Sequence, residues 1–213
     1  VVDNHRFNVV YTDASRVGGL MPSSLKGYVP ALARVVGLTA AALYERQRAL
    51  VRAGLLDTTA GRGPGSGTRA TAPAVALLLI ATLASDSLTE TEKRARDIAN
   101  AAPIKADRRP LKDMNFRDAL ASTLCSKSRS RSVSAIGVSR TADRAWITYK
   151  DGKTSNFAGP EPTEPGLRIE ASLAGEVLAR VADDVLAIIN AKFEQQERAL
   201  AAAANPTETR KAS

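Results

Sequence analysis

Between Lys26 and Arg69 the chain sets out side chains whose shared chemistry is donation of hydrogen bonds to anions and to base-like acceptor edges. Arg48, Arg52, Arg62 and Arg69 each carry a planar guanidinium that can grip two acceptor atoms at once, and Lys26 adds a point charge. Thr39 and Tyr44 bring hydroxyls, Glu45 a carboxylate, and Ala40 and Ala41 small methyl groups. Thr39, Ala40, Ala41, Tyr44, Glu45 and Arg48 all fall within one predicted helix, 39–53.

The residue types needed for catalysis are not assembled in the same way. One histidine, His5, and one cysteine, Cys125, leave no base for a serine or cysteine triad and no soft-ligand set for zinc. Asp183 and Asp184 are adjacent on a predicted helix, so they point to different azimuths and read as a solvated face. The glycines from 61 to 67 lack the terminal Lys-Ser/Thr of a phosphate loop and open no helix. Ala158-Gly159 is a loop bond of the kind cut in self-cleaving repressors. Beyond it Lys192 lies on a predicted helix and Lys211 in the tail, and the many strands of such a domain are missing. The expectation is a non-enzyme without cofactor or metal.

The elements that position these groups follow from LARVVGLTAAALYERQRALVRAGLL, 32–56, and the loop AGRGPGSGTRAT, 60–71. Leu32, Val36, Leu38 and Leu43 are spaced to bury between two crossing helices, and Ala33 is small enough to let them approach. Gly37 permits the positive φ of a tight turn, and Thr39 is a good N-cap for the second helix. Leu50 and Gly54 close that helix, with Gly54 at the C′ position. Leu55 and Leu56 are predicted to start a short strand, 68–71 to return, and 61–67 to form the tip.

This order of helix, glycine turn, helix, basic loop and a further helix at Pro73 resembles the winged helix-turn-helix superfamily of bacterial transcription regulators. It is similar to both MarR-type and MerR-type members, over roughly 23–85. Arg46 and Gln47 stand where many members carry another buried aliphatic, and the MerR aromatic pair is reduced to Tyr44. The resemblance implies that the helix from Thr39 enters a major groove. Arg48 would then donate to guanine, Tyr44 and Thr39 to phosphate, and Ala40 and Ala41 would meet thymine methyls. Arg62 and Arg69 would contact the backbone or minor groove from the wing, with Lys26 and Arg52 as secondary phosphate contacts.

Composition allows this. A chain of 213 residues, 44% hydrophobic, can bury a sizeable core, and a formal charge of +8 favours a polyanionic partner. The longest apolar run, 74–84, is too short to span a membrane and predicts a buried helix. Because it is apolar nearly all round, it is expected between domains or in a dimer interface.

The remaining organisation reads as follows. Residues 1–22 are an N-terminal arm, 23–71 the winged unit, 72–125 a helical connector and dimerisation region, and 126–132 a basic linker, SKSRSRS. Within the connector, helices are predicted at 89–101, capped by Thr89, and at 116–124. From Val133 the period switches to two, Asp151-Gly152 signals a type I′ hairpin, and a short strand follows at 167–169. A long helix is predicted from Ser172 to about Ala204, and 205–213 as a disordered tail. The expected fold is therefore α+β, mostly α. It joins an N-terminal winged helix-turn-helix to a small C-terminal antiparallel β-meander packed on a long helix.

The function expected is sequence-specific binding of double-stranded DNA as a transcriptional regulator, a homodimeric repressor of bacterial, phage or mobile-element origin. It would be cytoplasmic and nucleoid-associated, with no membrane partner. Two readings of other classes stand beside it: an architectural or replication/partition DNA-binding protein, and a protein-interaction module on a winged-helix scaffold.

Overall fold

The computed structural model describes residues 24–59, 67–104, 114–160 and 166–204. The expectations for the arm at 1–22, for Arg62 and for the tail at 205–213 lie outside these residues. The fold is mixed α+β and mostly helical, with one five-stranded antiparallel sheet and a long C-terminal helix.

Four helices come first: α1 (Leu25–Val36), α2 (Ala40–Arg52), α3 (Ala72–Ala84) and α4 (Leu88–Ala99). Each starts where a short polar side chain precedes it. Ser24, Thr39 and Thr71 accept from the backbone N–H three residues on, which satisfies one otherwise orphaned donor. For α4 the residue before the helix is Ser87 rather than Thr89, so that helix begins two residues earlier than expected.

Helix α3 is the axis of the molecule. Eleven of its residues are buried, and it packs against α2, α4, α5 (Phe116–Leu124), β2 (Val133–Ser139) and β5 (Glu170–Ala174). Its all-round apolarity is thus accounted for inside one chain, and the expectation that it needs a domain or dimer interface is corrected. A single cluster of buried side chains runs from Leu32 and Leu50 through α3 to Phe116, Ile147 and Phe157. The rings of Phe116 and Phe157, 5.2 Å apart at 58°, join α5 to the sheet.

The sheet order is β1-β4-β3-β2-β5, with β1 Ala102–Pro103, β3 Arg144–Tyr149 and β4 Thr154–Ala158. Ile136, Val138, Ala145, Ile147 and Phe157 face the helices and are buried, as a period of two requires. The β3–β4 hairpin is not type I′. Only Gly152 has positive φ there, at 81°, and its N–H donates to the Tyr149 carbonyl, so a type I turn ends in a glycine bulge.

Three further expectations change. The 126–132 stretch is not a linker: Lys127–Ser132 forms a short helix, α6, capped by Ser126, with Ser130 buried. The strand expected at 167–169 lies instead at Glu170–Ala174, where β5 pairs with β2, leaving Leu167 and Ile169 exposed. The long helix α7 therefore begins at Gly175 and runs to Ala204. A side chain at Gly175 would sit 2.1 Å from the Val133 carbonyl oxygen, so the strand-to-helix corner closes only on glycine. Leu178, Val181, Val185 and Ile188 bury the first half of α7, whereas Phe193 and Leu200 are exposed.

Candidate nucleic-acid interface

Helices α1 and α2 are joined by Gly37, Leu38 and Thr39. Gly37 adopts φ 73°, and the Leu38 N–H returns to the Ala33 carbonyl, so the first helix ends in a left-handed turn. Leu25, Val29, Leu32 and Ala33 from α1 meet Leu43 and Leu50 from α2 in the core. Leu38 does not join them. It is exposed, because the turn holds it on the outside of the corner, and Val36 is only half-buried. Past α2, Gly54 takes φ 66°, as a C′ glycine should.

The strand expected at Leu55 and Leu56 does not form; Leu56 is buried in the core instead. The pairing falls further out, as a Thr59↔Gly67 antiparallel bridge at the base of the loop and a second bridge, Ser24↔Arg69. The Leu25 N–H donates to the Thr68 carbonyl beside it. The residue that caps α1 is therefore bridged to the returning arm of the loop, and that arm in turn holds the outgoing arm at Thr59.

The described members of the expected DNA-binding set fall into two groups. Thr39, Ala41, Glu45, Arg48, Arg52, Arg69 and Lys26 are exposed; Ala40 and Tyr44 are half-buried. On α2, Arg48 pairs with Glu45 at 3.2 Å across one turn, both being well solvated. Such an exposed pair contributes roughly 0–1 kcal/mol, so it opens readily toward a better acceptor. Lys26 reaches from α1 to lie 5.8 Å from the centre of the Tyr44 ring, a cation–π contact that binds the two helices on their outer side. From 24 to 71 the sequence carries seven Lys or Arg against two acids, a strongly positive local balance.

Not every basic residue is available for recognition. Arg46 bends inward, donating to the Ala42 carbonyl of its own helix and to the Ser85 carbonyl at the end of α3. Arg140 donates to the Leu83 carbonyl and pairs with Asp86, and Arg96 reaches the Ala53 carbonyl. These guanidiniums satisfy carbonyls that helix C-termini leave open, where positive charge is also favoured by the helix dipole. Gln47 is buried beside Arg46, and its Oε1 has no hydrogen-bond partner among the described residues. The departures Arg46 and Gln47 thus bury polar groups in a place where an aliphatic was expected.

Sequence reasoning did not find the contact that ties this hairpin to the rest of the chain. The buried Tyr28 hydroxyl donates to Asp184 Oδ2 at 3.2 Å, joining α1 to α7. Burial, the Asp184 charge and this hydrogen bond all push the phenol upward, well beyond its ordinary range. Asp184 is itself displaced upward, by burial first, with Asp183 adding to the effect; the Tyr28 bond and Arg34 oppose it. A helical tyrosine 156 residues from a helical aspartate leaves no periodic signal to read.

Among the described residues no group of three or more His, Cys, Asp or Glu side chains could hold a metal ion, and no helix is long and apolar enough to cross a membrane. No family model, curated protein or solved structure matches the chain. What the arrangement offers chemically is a solvated face of α2, with Arg48 loosely paired to Glu45 and Arg52 exposed, together with exposed Lys26 on α1 and Arg69 on the returning arm.

Proposed function

We propose that residues 24–71 act as a winged helix-turn-helix that docks double-stranded DNA, with α2 in the major groove and the 60–66 loop against the backbone. The observation that carries this reading is the pairing order. The residue before the first helix of the pair bridges the returning arm of the loop, and the outgoing arm bridges that same arm further out. That order brings the returning arm, 67–69, back beside the start of α1, and a wing must return there if it is to touch a duplex alongside the recognition helix.

Charge and exposure support the same reading. Arg48, Arg52, Lys26 and Arg69 are all solvent-facing on this unit. One such module makes few base contacts, each good pair worth roughly 1–3 kcal/mol, whereas operator discrimination takes roughly 4–10 kcal/mol. We therefore infer a homodimer acting as a transcriptional repressor. Exposed Phe193 and Leu200, one heptad apart on the projecting half of α7 and following half-buried Leu186 and Ile189, supply an apolar seam for a second copy.

The test is selection of bound fragments from a random duplex pool, followed by alignment of the recovered sites. A two-fold symmetric site supports a dimeric regulator, and Arg48→Ala should then relax preference at one position in each half-site. Uniform coating in place of a bounded footprint would favour an architectural or partition role. Retention of no duplex at moderate salt would favour a protein-interaction module.

A further inference from the structure

The sheet face turned away from the helices carries a feature that the DNA reading does not use. Trp146, the one tryptophan of the chain, stands on β3 directly across from Gly137 on β2. A Cβ at Gly137 would fall 2.2 Å from two carbons of the indole ring. The ring therefore lies down on the backbone of its neighbouring strand, and glycine is what makes room for it. The ring also lines a cleft of about 470 Å³, inside the range typical of small-molecule sites.

The lining gives the cleft a definite chemistry. Asn156 pairs with Trp146 from β4, and Thr148 adds a hydroxyl further along β3. Arg144 and Arg168 contribute two guanidiniums against one carboxylate, Glu170. A guanidinium has five donors in a fixed fork, so each can serve a ligand anion together with a partner of its own. Such a cleft matches a small rigid molecule with a flat aromatic body and an anionic substituent at its rim.

We propose that this open sheet face is a binding site for a small planar aromatic anion, stacked on Trp146 and held at its charged end by Arg144 and Arg168. Among the described lining residues Trp146 is the aromatic ring that is not buried, Phe157 being buried in the core, so the cleft suits a single bicyclic ligand better than a run of nucleotides. The site stands on its own geometry and does not depend on the duplex reading of α2.

Because there is a single tryptophan, a ¹⁵N-labelled full chain has one indole N–H resonance, which reports directly on the platform. Titration with 2-naphthoate should shift that resonance saturably. The neutral 2-naphthalenemethanol should bind at least tenfold more weakly, as should the non-planar anion cyclohexanecarboxylate. Exposed Arg168 replaced by Met should weaken 2-naphthoate about tenfold and leave the alcohol unchanged, while Trp146→Leu, which has no indole and is followed instead by the fluorescence of the naphthalene ring, should abolish binding of both. An unmoved indole resonance at millimolar 2-naphthoate would overturn the proposal, as would equal binding of all three probes. An oligothymidylate that shifts it where 2-naphthoate does not would also overturn it, in favour of a nucleic-acid platform.

Discussion

Replacing Gly137 with alanine tests the sheet geometry most sharply. The added methyl would lie 2.2 Å from Cε2 and Cζ2 of Trp146, well inside van der Waals contact, so the indole must leave the sheet or the strand must shift. Over-packing of this kind costs about 1–3 kcal/mol. Against it, alanine in a strand interior regains about 0.5–1 kcal/mol of the conformational freedom that glycine loses on folding. The net expectation is a destabilisation of up to about 2.5 kcal/mol, centred near about 1 kcal/mol. At about 2–4 °C per kcal/mol for a chain of this length, Tm falls by roughly 2–4 °C at the centre of that range and by at most about 10 °C.

The decisive version is a double-mutant cycle. In a Trp146→Ala background the obstructing ring is gone, and Gly137→Ala should become neutral or stabilising by about 0.5–1 kcal/mol. The coupling between the two positions is then the over-packing cost itself, about 1–3 kcal/mol. Urea unfolding followed by far-UV circular dichroism serves all four proteins, since two of them lack the tryptophan. Equal effects of Gly137→Ala in both backgrounds would refute the account, because the alanine would then be acting on the strand and not on the ring.

Three other expectations follow from the same physical reasoning. Arg94 pairs with Asp143 at 2.5 Å and donates to the Ser139 and Ala142 carbonyls, so it holds the β2–β3 turn from α4. Arg94→Met should cost about 3 kcal/mol in denaturant unfolding, since it strands a half-buried carboxylate and two carbonyls; a loss no larger than that at exposed Arg52 would remove this role. For the proposed wing, changing both Arg62 and Arg69 to alanine should lower the slope of log affinity against log salt by about 2, roughly one unit per phosphate contact, and an unaltered slope would dismiss the wing assignment. Asp184 has its carboxyl raised in the fold above the ordinary value of 3.8, chiefly by burial. The stability it lends is therefore complete below that ordinary value and fades as pH rises through the higher folded one. Relative to Asp184→Asn, the native protein should lose stability across that acidic window and run parallel above it; a gain with rising pH would reverse the assignment.

Much of the helical organisation was legible because its signals are local. Thr39 caps α2, Gly37 and Gly54 take the left-handed φ their positions demand, and Phe116, Leu120 and Leu124 bury one side of α5. Each depends on neighbours within a turn or two, which a period of 3.6 or a single residue type can announce. Of the outward set that the helix-turn-helix resemblance implied, Thr39, Ala41, Glu45 and Arg48 are exposed, whereas Ala40 and Tyr44 are half-buried. By contrast, the strands at the sheet edges were misplaced or missed. Ala102–Pro103 has only two residues and no periodicity, and β5 is recognised by its pairing with β2 more than by its own composition.

Residue types and short-range spacing thus determined where helices begin and end, which face of α2 is polar, and that the C-terminal part alternates as strands. Only the tertiary structure decided that α3 is buried within one chain, that Arg46 turns inward to the end of α3, and that Leu38 stays outside. It also decided that Tyr28 reaches Asp184 and that Trp146 lies on Gly137. Those outcomes rest on register and on contacts between residues far apart in the chain, where the free energy depends on what packing brings opposite each side chain. No property of Arg46 or Trp146 alone carries that information.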